Sequence, residues 1–537
     1  MKICTMRTFG ALDVIKGTKT GKQTKSGTML KNERYSFQVA YKTAYTTILC
    51  SLELESDISS FVTLREERLA PCSMTVTDKG YVLSHEPTMY PDILAPYENI
   101  GITCRKELWQ ATWVTVTGNP PVGVHKLKFR LKNRDGEVLA ETSFTLEVLN
   151  GELEQSDLIY TNWFHYDGIS RIYNEAPFTD KYNEILEKYV SAAVVHGMNM
   201  LYMPVFTPPL DTQIGGERLT VQLVGMKKEG SRYSFDFSKL EKFVALAHKC
   251  GIKYFEVAHL FTQWGAKCTP KIVVETDGEE KKLFGWHVAS DSPEYDEFLS
   301  QFLPALKECL QKLGIYEKCY FHVSDEPSEY VLESYAKARA LLEKYLPDCK
   351  SIEALSHYEF YRLGYVKTPV VSTKSFSAFA NVKGVWAYTC CTEKQNNLAN
   401  RFMCFPPQRN RILGIQLYLN ECAGYLHWGY NFYNSYESRM AIDPFEITDA
   451  CGAFESGDSF IVYPGKDGPL DSARHEVFSD GMQDYRALKT LEKRIGRKEV
   501  EKMLYAEGFE KNFTTYPMSA SWHLAFREKL NRMIAEK

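Results

Sequence analysis

From about residue 157 the chain alternates short apolar, β-branched runs with stretches whose apolar residues recur every three or four positions. No other feature constrains the fold as strongly, because the two periods mark strands and helices taken in turn. The strand-like runs are LIYTNWFH (158–165), MNMLYMPVF (198–206), KYFEVAHLF (253–261), KCYFHVSDE (318–326), KSIEALS (350–356), PVVSTKS (369–375), GVWAYTCC (384–391) and GYLHWGYNF (424–432). Between several of them lie the amphipathic stretches KYNEILEKYVSAAVVHG, SKLEKFVALAHKCG, SPEYDEFLSQFLPALKECLQKLG and SEYVLESYAKARALLEKYLPD. Gly197, Gly251 and Gly314 stand where helix C-termini need a residue that tolerates left-handed geometry. Eight strands with intervening helices predict an α/β fold, a (β/α)8 TIM-type barrel over 157–495. Helical signal is weak after the fifth and sixth strands. Residues 210–236, and TDGEE within 262–292, read as hairpins inserted along one rim. A doubly wound open sheet is the structural rival. It would bring a Gly-rich phosphate loop, and neither GxGxxG nor GxxxxGK[ST] occurs.

Residues 1–150 carry the other strand signature. YSFQVAYKT (35–43), TTILCSLELES (46–56), TWVTVTG (112–118), HKLKFRLKN (125–133) and TSFTLEVLN (142–150) alternate or concentrate β-branched and aromatic residues, with turn signals such as GNPP and NRDGE between them. This predicts an all-β sandwich ahead of the barrel, with GELEQSD as the connector. The chain from 481 reads as helical, and 496–537 is expected to be an extension packed on the barrel.

Bulk properties exclude several classes. With 64 basic and 68 acidic residues the formal net charge is −4, and no basic stripe predicts a nucleic-acid partner. No apolar run of about 18 residues predicts a membrane span. The opening MKICTMRTFGALDVIKG lacks the apolar core and cleavage site of a signal peptide, so a cytoplasmic location is expected. The 14 cysteines contain no CxxC pair, and read as buried thiols rather than a zinc site. Neither HxH nor HExxH occurs, so no metal is expected, and nothing calls for a cofactor.

Asp325 and Glu326 sit side by side at the end of the fourth strand, followed by Pro327. In a barrel this is the end that carries chemistry. Successive strand residues point to opposite sides, so both carboxylates enter one cavity only if the strand twists or bulges. Pro327 is expected to hold Glu326 extended. The alternative is that one acid caps a helix beginning near Ser328. Aromatic and amide groups gather at other strand ends: Trp386 and Tyr388 two apart on the seventh, Trp428 and Asn431 on the eighth, His259 on the third, and His322 on the fourth. Flat apolar faces beside carboxylates and amides suit a sugar ring, whose C–H faces stack and whose hydroxyls take directional hydrogen bonds. The same residues are also ordinary core.

The motifs HVSDEP, WAYTCC, GYLHWGYNFYNS, DPF and IVYPGKDGPLDSARHEVFSDGMQDYRAL resemble, in order, the catalytic domain of glycoside hydrolase family 123, across about 158 to 492. Arg474 matches that pattern, whereas Ser479 stands where the family usually has arginine. The resemblance implies a (β/α)8 barrel and a retaining, substrate-assisted β-N-acetylgalactosaminidase. Glu326 would be its general acid/base and Asp325 its orienting carboxylate. Tyr388 would donate to the acetamido carbonyl, Trp386 and Trp428 would wall the sugar, and Asn431, His259 and His322 would contact substrate. The expected partner is a glycan or glycoside. A glycosidase of other specificity, a metal-dependent hydrolase and a non-catalytic sugar binder are the rival functions, and the oligomeric state stays open.

Overall fold

The structure is a computed structural model that describes residues 4–77, 80–97 and 101–536. Residues 1–3, 78–79, 98–100 and 537, which belong to the spans 1–150 and 496–537 above, lie outside the described residues. All eight expected barrel strands are present: β1 (Ile159–Asn162), β2 (Met200–Met203), β3 (Tyr254–Val257), β4 (Cys319–Phe321), β5 (Lys350–Leu355), β6 (Thr368–Ser372), β7 (Trp386–Thr389) and β8 (Gly424–His427). They form one parallel sheet in the order β1-β8-β7-β6-β5-β4-β3-β2, a nearly closed TIM-type barrel. Each ladder is shorter than its apolar run. The rest of each run continues as loop, and in β4 that places the half-buried Asp325 and the exposed Glu326 beyond the strand's last residue, Phe321.

The flanking helices α1 (Asp180–Val195), α2 (Ser238–Cys250), α3 (Pro293–Lys312) and α4 (Leu332–Tyr345) follow β1 to β4. Thr179 and Ser292 cap α1 and α3 by accepting from Tyr182 N and Tyr295 N. After β5 and β6 only Tyr358–Arg362 and the single turn Phe376–Phe379 remain helical. The inserted hairpins are real: Gly225–Glu229 with Arg232–Asp236, and Ile272–Thr276 with Glu279–Phe284. They join in one four-stranded sheet. Among the described residues no helix is long and apolar enough to cross a membrane.

The barrel's one seam lies between β1 and β2, which share no ladder. Asn199 closes it. Its Oδ1 accepts from Tyr160 N at 2.9 Å, its Nδ2 donates to Leu158 O at 2.9 Å, and its own N donates to Tyr160 O at 3.1 Å. Asn199→Ala leaves a backbone donor and acceptor unpaired. We expect it to destabilise the barrel by about 2–4 kcal/mol, measured by urea unfolding followed through tryptophan fluorescence.

The five strands expected before residue 150 are also present, in two sheets that pack face to face, with Phe37 stacked on Phe144 at 4.0 Å. One feature was not legible. Val462–Pro464 and Pro469–Ser472, read as part of the barrel unit, form a hairpin that extends the first of these sheets, with Asp471 opposite Leu94. The open edge of Thr88–Pro96 offers a ladder, and the next residues secure it: Arg474 Nε donates to Asp92 at 3.0 Å. Arg474 also donates to the carbonyls of Arg401, Gly457 and Phe460, so it ties sheet to barrel loops. The helix α5 (Ala473–Ile495) starts here rather than at 481, capped by Ser472. The last helix, α6 (Ala520–Ala535), meets both units: Arg527 pairs with Asp484 of α5 at 3.0 Å and with Glu33 beside strand Ser26–Lys31 at 2.8 Å.

Candidate active site

Asp325 and Glu326 line the same cavity at the C-terminal mouth of the barrel. The backbone shows how two neighbours manage this. Glu326 has φ +39, so the chain turns left-handed at the point where an extended strand would send the second carboxylate away. The expectation that Pro327 holds Glu326 extended is therefore corrected. A following proline disfavours the right-handed α region, and the chain takes the left-handed turn instead. Neither acid caps a helix, since no side-chain cap forms at the turn Glu329–Val331 or at α4. Two other residues that line the cavity share such backbone strain, Asp211 (φ +40) and Trp264 (φ +58).

Burial raises the pKa of Asp325 well above the usual carboxylate range. The neighbouring Glu326 charge raises it further, and the cationic His322 works against both. The surrounding cavity walls also raise Glu326, although its side chain reaches solvent, while the Tyr388 hydroxyl, donating to its Oε1 at 2.5 Å, holds it down. The two carboxyls thus titrate as a coupled pair, each raised above its ordinary range.

The cavity has a volume of about 160 Å³ and lies between loops from several strands. Trp163 and Trp428 present flat faces, and Trp428 is fixed by its Nε1 donating to Asp458 at 2.9 Å and by Phe454 packed edge-on at 5.1 Å. Cys390, Cys391 and Tyr436 complete the opposite side. The Leu210–Gln213 segment is pinned to the loop after β8: Gln213 N donates to Glu437 O at 2.9 Å and Ser438 Oγ to Asp211 O at 2.7 Å. Burial lifts Asp211 to about 7, against the pull of Arg218.

A cleft at a barrel's C-terminal face, holding a raised pair of carboxylates between tryptophans, fits carbohydrate hydrolysis. The sequence signature described as "Glycoside hydrolase 123, catalytic domain" matches residues 163–491. The chain belongs to glycoside hydrolase family 123. Among solved structures it is similar to a family 123 glycoside hydrolase from Clostridium perfringens, studied for glycolipid glycan hydrolysis. The TM-score is 0.74 at 14% identity, covering 99% of this chain and 97% of that one. A Bacteroides ovatus family 5 xyloglucanase is far less similar, with a TM-score of 0.31 at 8% identity over 85% of this chain and 98% of its own. No curated protein matches by sequence.

Of the residues singled out in this family 123 chain, Asp325, Glu326, Tyr388 and Trp428 line the cavity, and four others do not. Trp386 opens β7 at the bottom of the barrel, 2% exposed, with its ring over Gly424 and 5.6 Å from Tyr320. It is core. A Cβ at Gly424 would fall 2.2 Å from that ring, which is why position 424 is glycine. Asn431 bridges backbone groups, accepting from His165 N at 2.9 Å and donating to His165 O at 3.2 Å. It ties the loop after β8 to the loop after β1 and is fully buried there.

His259 and His322 lie behind the cavity wall. His322 donates from Nε2 to Glu256 at 2.6 Å and from Nδ1 to Glu353 at 3.3 Å. Burial opposes charge here, but the two carboxylates outweigh it and raise the imidazole to about 9. His259 stacks on His322 at 4.2 Å, and burial with that neighbouring charge keeps it neutral. Glu256 also accepts from Trp163 Nε1 at 2.7 Å and Thr161 Oγ1 at 2.9 Å, so this network sets the orientation of a cavity-wall tryptophan. Loop residues that sequence reasoning did not select complete the cavity: Leu210, Asp211, Gln263, Trp264, Tyr436 and Phe454.

Among the described residues two clusters bring metal-ligand types together, His259–His322–Glu353 and His196–Asp471–His475. The chemistry of neither suits a cation. His322 has both nitrogens committed to carboxylates. The rings of His196 and His475 stack at 3.7 Å and 20°, so their in-plane lone pairs run side by side rather than converge.

Proposed function

We propose that this glycoside hydrolase removes terminal β-linked N-acetylgalactosamine with retention of configuration, using the sugar's own 2-acetamido group as nucleophile. One observation carries the reading: two adjacent carboxylates are turned into a single cavity by a left-handed Glu326. In ordinary retaining enzymes an acid and a nucleophile face each other across the bond, about 5–5.5 Å apart. Neighbouring residues suit a different task, because the acetamido N–H and the departing oxygen are neighbours on one sugar. The acetamido oxygen attacks the anomeric carbon as the bond to the leaving oxygen breaks, and Glu326 gives that oxygen its proton. Asp325 accepts the acetamido N–H, aligning the amide and offsetting the positive charge on the oxazolinium. Water then attacks the anomeric carbon and yields a proton to Glu326. The acetamido oxygen leaves.

Tyr388 couples binding to protonation. Its hydroxyl donates to Glu326 and favours the ionised form of that carboxyl. When that hydroxyl turns to the acetamido carbonyl, Glu326 loses the donor that favours its charged form. Asp325 meanwhile gains an N–H donor that favours ionisation. Both changes favour a proton on Glu326, the member that needs it.

Asp211 gives a second reading some footing, because a third carboxylate in the cavity is a potential ordinary nucleophile. A panel of aryl glycosides with and without the 2-acetamido group, in both C4 epimers, separates them. We expect turnover of the β-N-acetylgalactosaminide and inhibition by a thiazoline analogue of the intermediate. Efficient cleavage of plain galactosides, or turnover abolished by Asp211→Asn with thiazoline inert, supports the ordinary mechanism instead.

A further inference from the structure

We propose that Trp264 and Tyr330 form an aromatic platform for the sugar residue on the leaving-group side of the scissile bond. The proposal rests on the reading of the cavity as a glycosidase site, and goes beyond it by assigning a second subsite and its occupant.

Trp264 is held where tryptophan is intrinsically disfavoured. Its φ is +58, it is followed by Gly265 at +130 and Ala266 at +54, and bulky side chains avoid this region. Its backbone N donates to the carbonyl of Asp325 at 2.9 Å, so the loop after β3 is fastened to the carboxylate pair itself. The constrained backbone directs no ring into the core: Trp264 is 40% exposed while lining the cavity. A large ring kept half in water at a mouth, on strained backbone, has no packing role to account for it.

Tyr330 is the second half. It lies four residues past Glu326 in the same loop and is 99% exposed. The two loops abut, since a Cβ at Gly265 would meet Val331 Cβ at 2.7 Å, and Ser334 Oγ donates to Gly265 O at 2.6 Å. The loop that carries Tyr330 therefore adjoins the loop that carries Trp264, next to Glu326 in the chain. The segment that carries Tyr330 is otherwise polar, with Ser328 half-buried, Glu329 exposed and His357 3.4 Å from Glu329. Separate aromatic faces with donors and acceptors between them suit a pyranose, whose C–H face stacks while its rim hydrogen-bonds. A lipid chain favours continuous apolar surface.

The test uses Trp264→Gly and Tyr330→Ala in the full chain. Glycine accepts φ +58 and keeps the N–H that bonds Asp325, so it removes the ring without disturbing the pair. Tyr330 makes no packing contact that its loss would disturb. Each variant is assayed on three substrates sharing one non-reducing sugar: its methyl glycoside, its octyl glycoside and a disaccharide. We expect the ratio of kcat/KM for disaccharide over methyl glycoside to fall roughly 10-fold in Trp264→Gly and severalfold in Tyr330→Ala, mostly through KM. Equal losses on all three substrates overturn the platform. A loss confined to the octyl glycoside overturns its occupant. The shared sugar is whichever one the wild type cleaves, so a failure of the N-acetylgalactosamine assignment shows in the wild type and leaves these ratios measurable.

Discussion

Glu326→Gln is expected to lower kcat/KM on an alkyl or glycosyl β-N-acetylgalactosaminide by about 10²–10⁴-fold, with a smaller loss on an aryl glycoside whose leaving group needs little protonation. The amide keeps the shape and the hydrogen bond from Tyr388 but has no proton to give. Asp325→Asn is expected to cost as much on both substrates, because aligning the nucleophile matters whatever leaves. It also carries a signed effect on pH. The acid must be protonated, so activity falls above its pKa. Removing the neighbouring negative charge weakens proton binding by Glu326, and the basic limb of kcat/KM moves to lower pH. A variant pair with ordinary rates on every substrate would remove both residues from the chemistry. Asp325→Asn with an unmoved basic limb would uncouple them.

The carboxylate pair was legible because adjacent like charges after an apolar run need a reason. The eight strands were legible because their runs are long and their period differs from that of the helices. Depth was not legible. Trp386 and Trp428 look alike in sequence, each an indole in a late apolar run. Trp386 is the first residue of β7 and falls in the barrel core, whereas Trp428 follows the last residue of β8 and reaches the mouth. Since apolar runs continue past their ladders, the strand ends that decide this cannot be read from composition. Asp211, Gln263 and Trp264 were invisible for another reason. They sit in loops shaped by other loops, Gln263 Nε2 donating to Thr212 O and Ser438 to Asp211 O, and no local pattern encodes a contact across 51 or 227 residues. The sheet-extending hairpin at 462–472 is the same case, since its partner strand lies near residue 94.

Glu256→Leu is expected to destabilise the barrel by about 3–5 kcal/mol, a loss set by what is left unpaired. Glu256 is fully buried and accepts from Trp163, His322 and Thr161. Its removal strands an imidazolium, an indole N–H and a hydroxyl in the interior, and frees a cavity-wall tryptophan to turn, so KM should rise as well. The network also sets a pH dependence whose sign is fixed. The unfolded chain binds the His322 proton with a pKa near 6.5, and the folded chain with one of about 9. The folded state therefore holds the proton where the unfolded state has released it. The stabilisation is fully present below about pH 6.5 and is lost as pH rises through about 9. It amounts to ~3 kcal/mol, measured as the difference between wild type and His322→Gln in urea unfolding from pH 6 to pH 10. Parallel curves for the two proteins would mean that His322 is neutral between its two carboxylates. Its charge would then no longer oppose the burial that raises Asp325, and that carboxyl would bind a proton more tightly still.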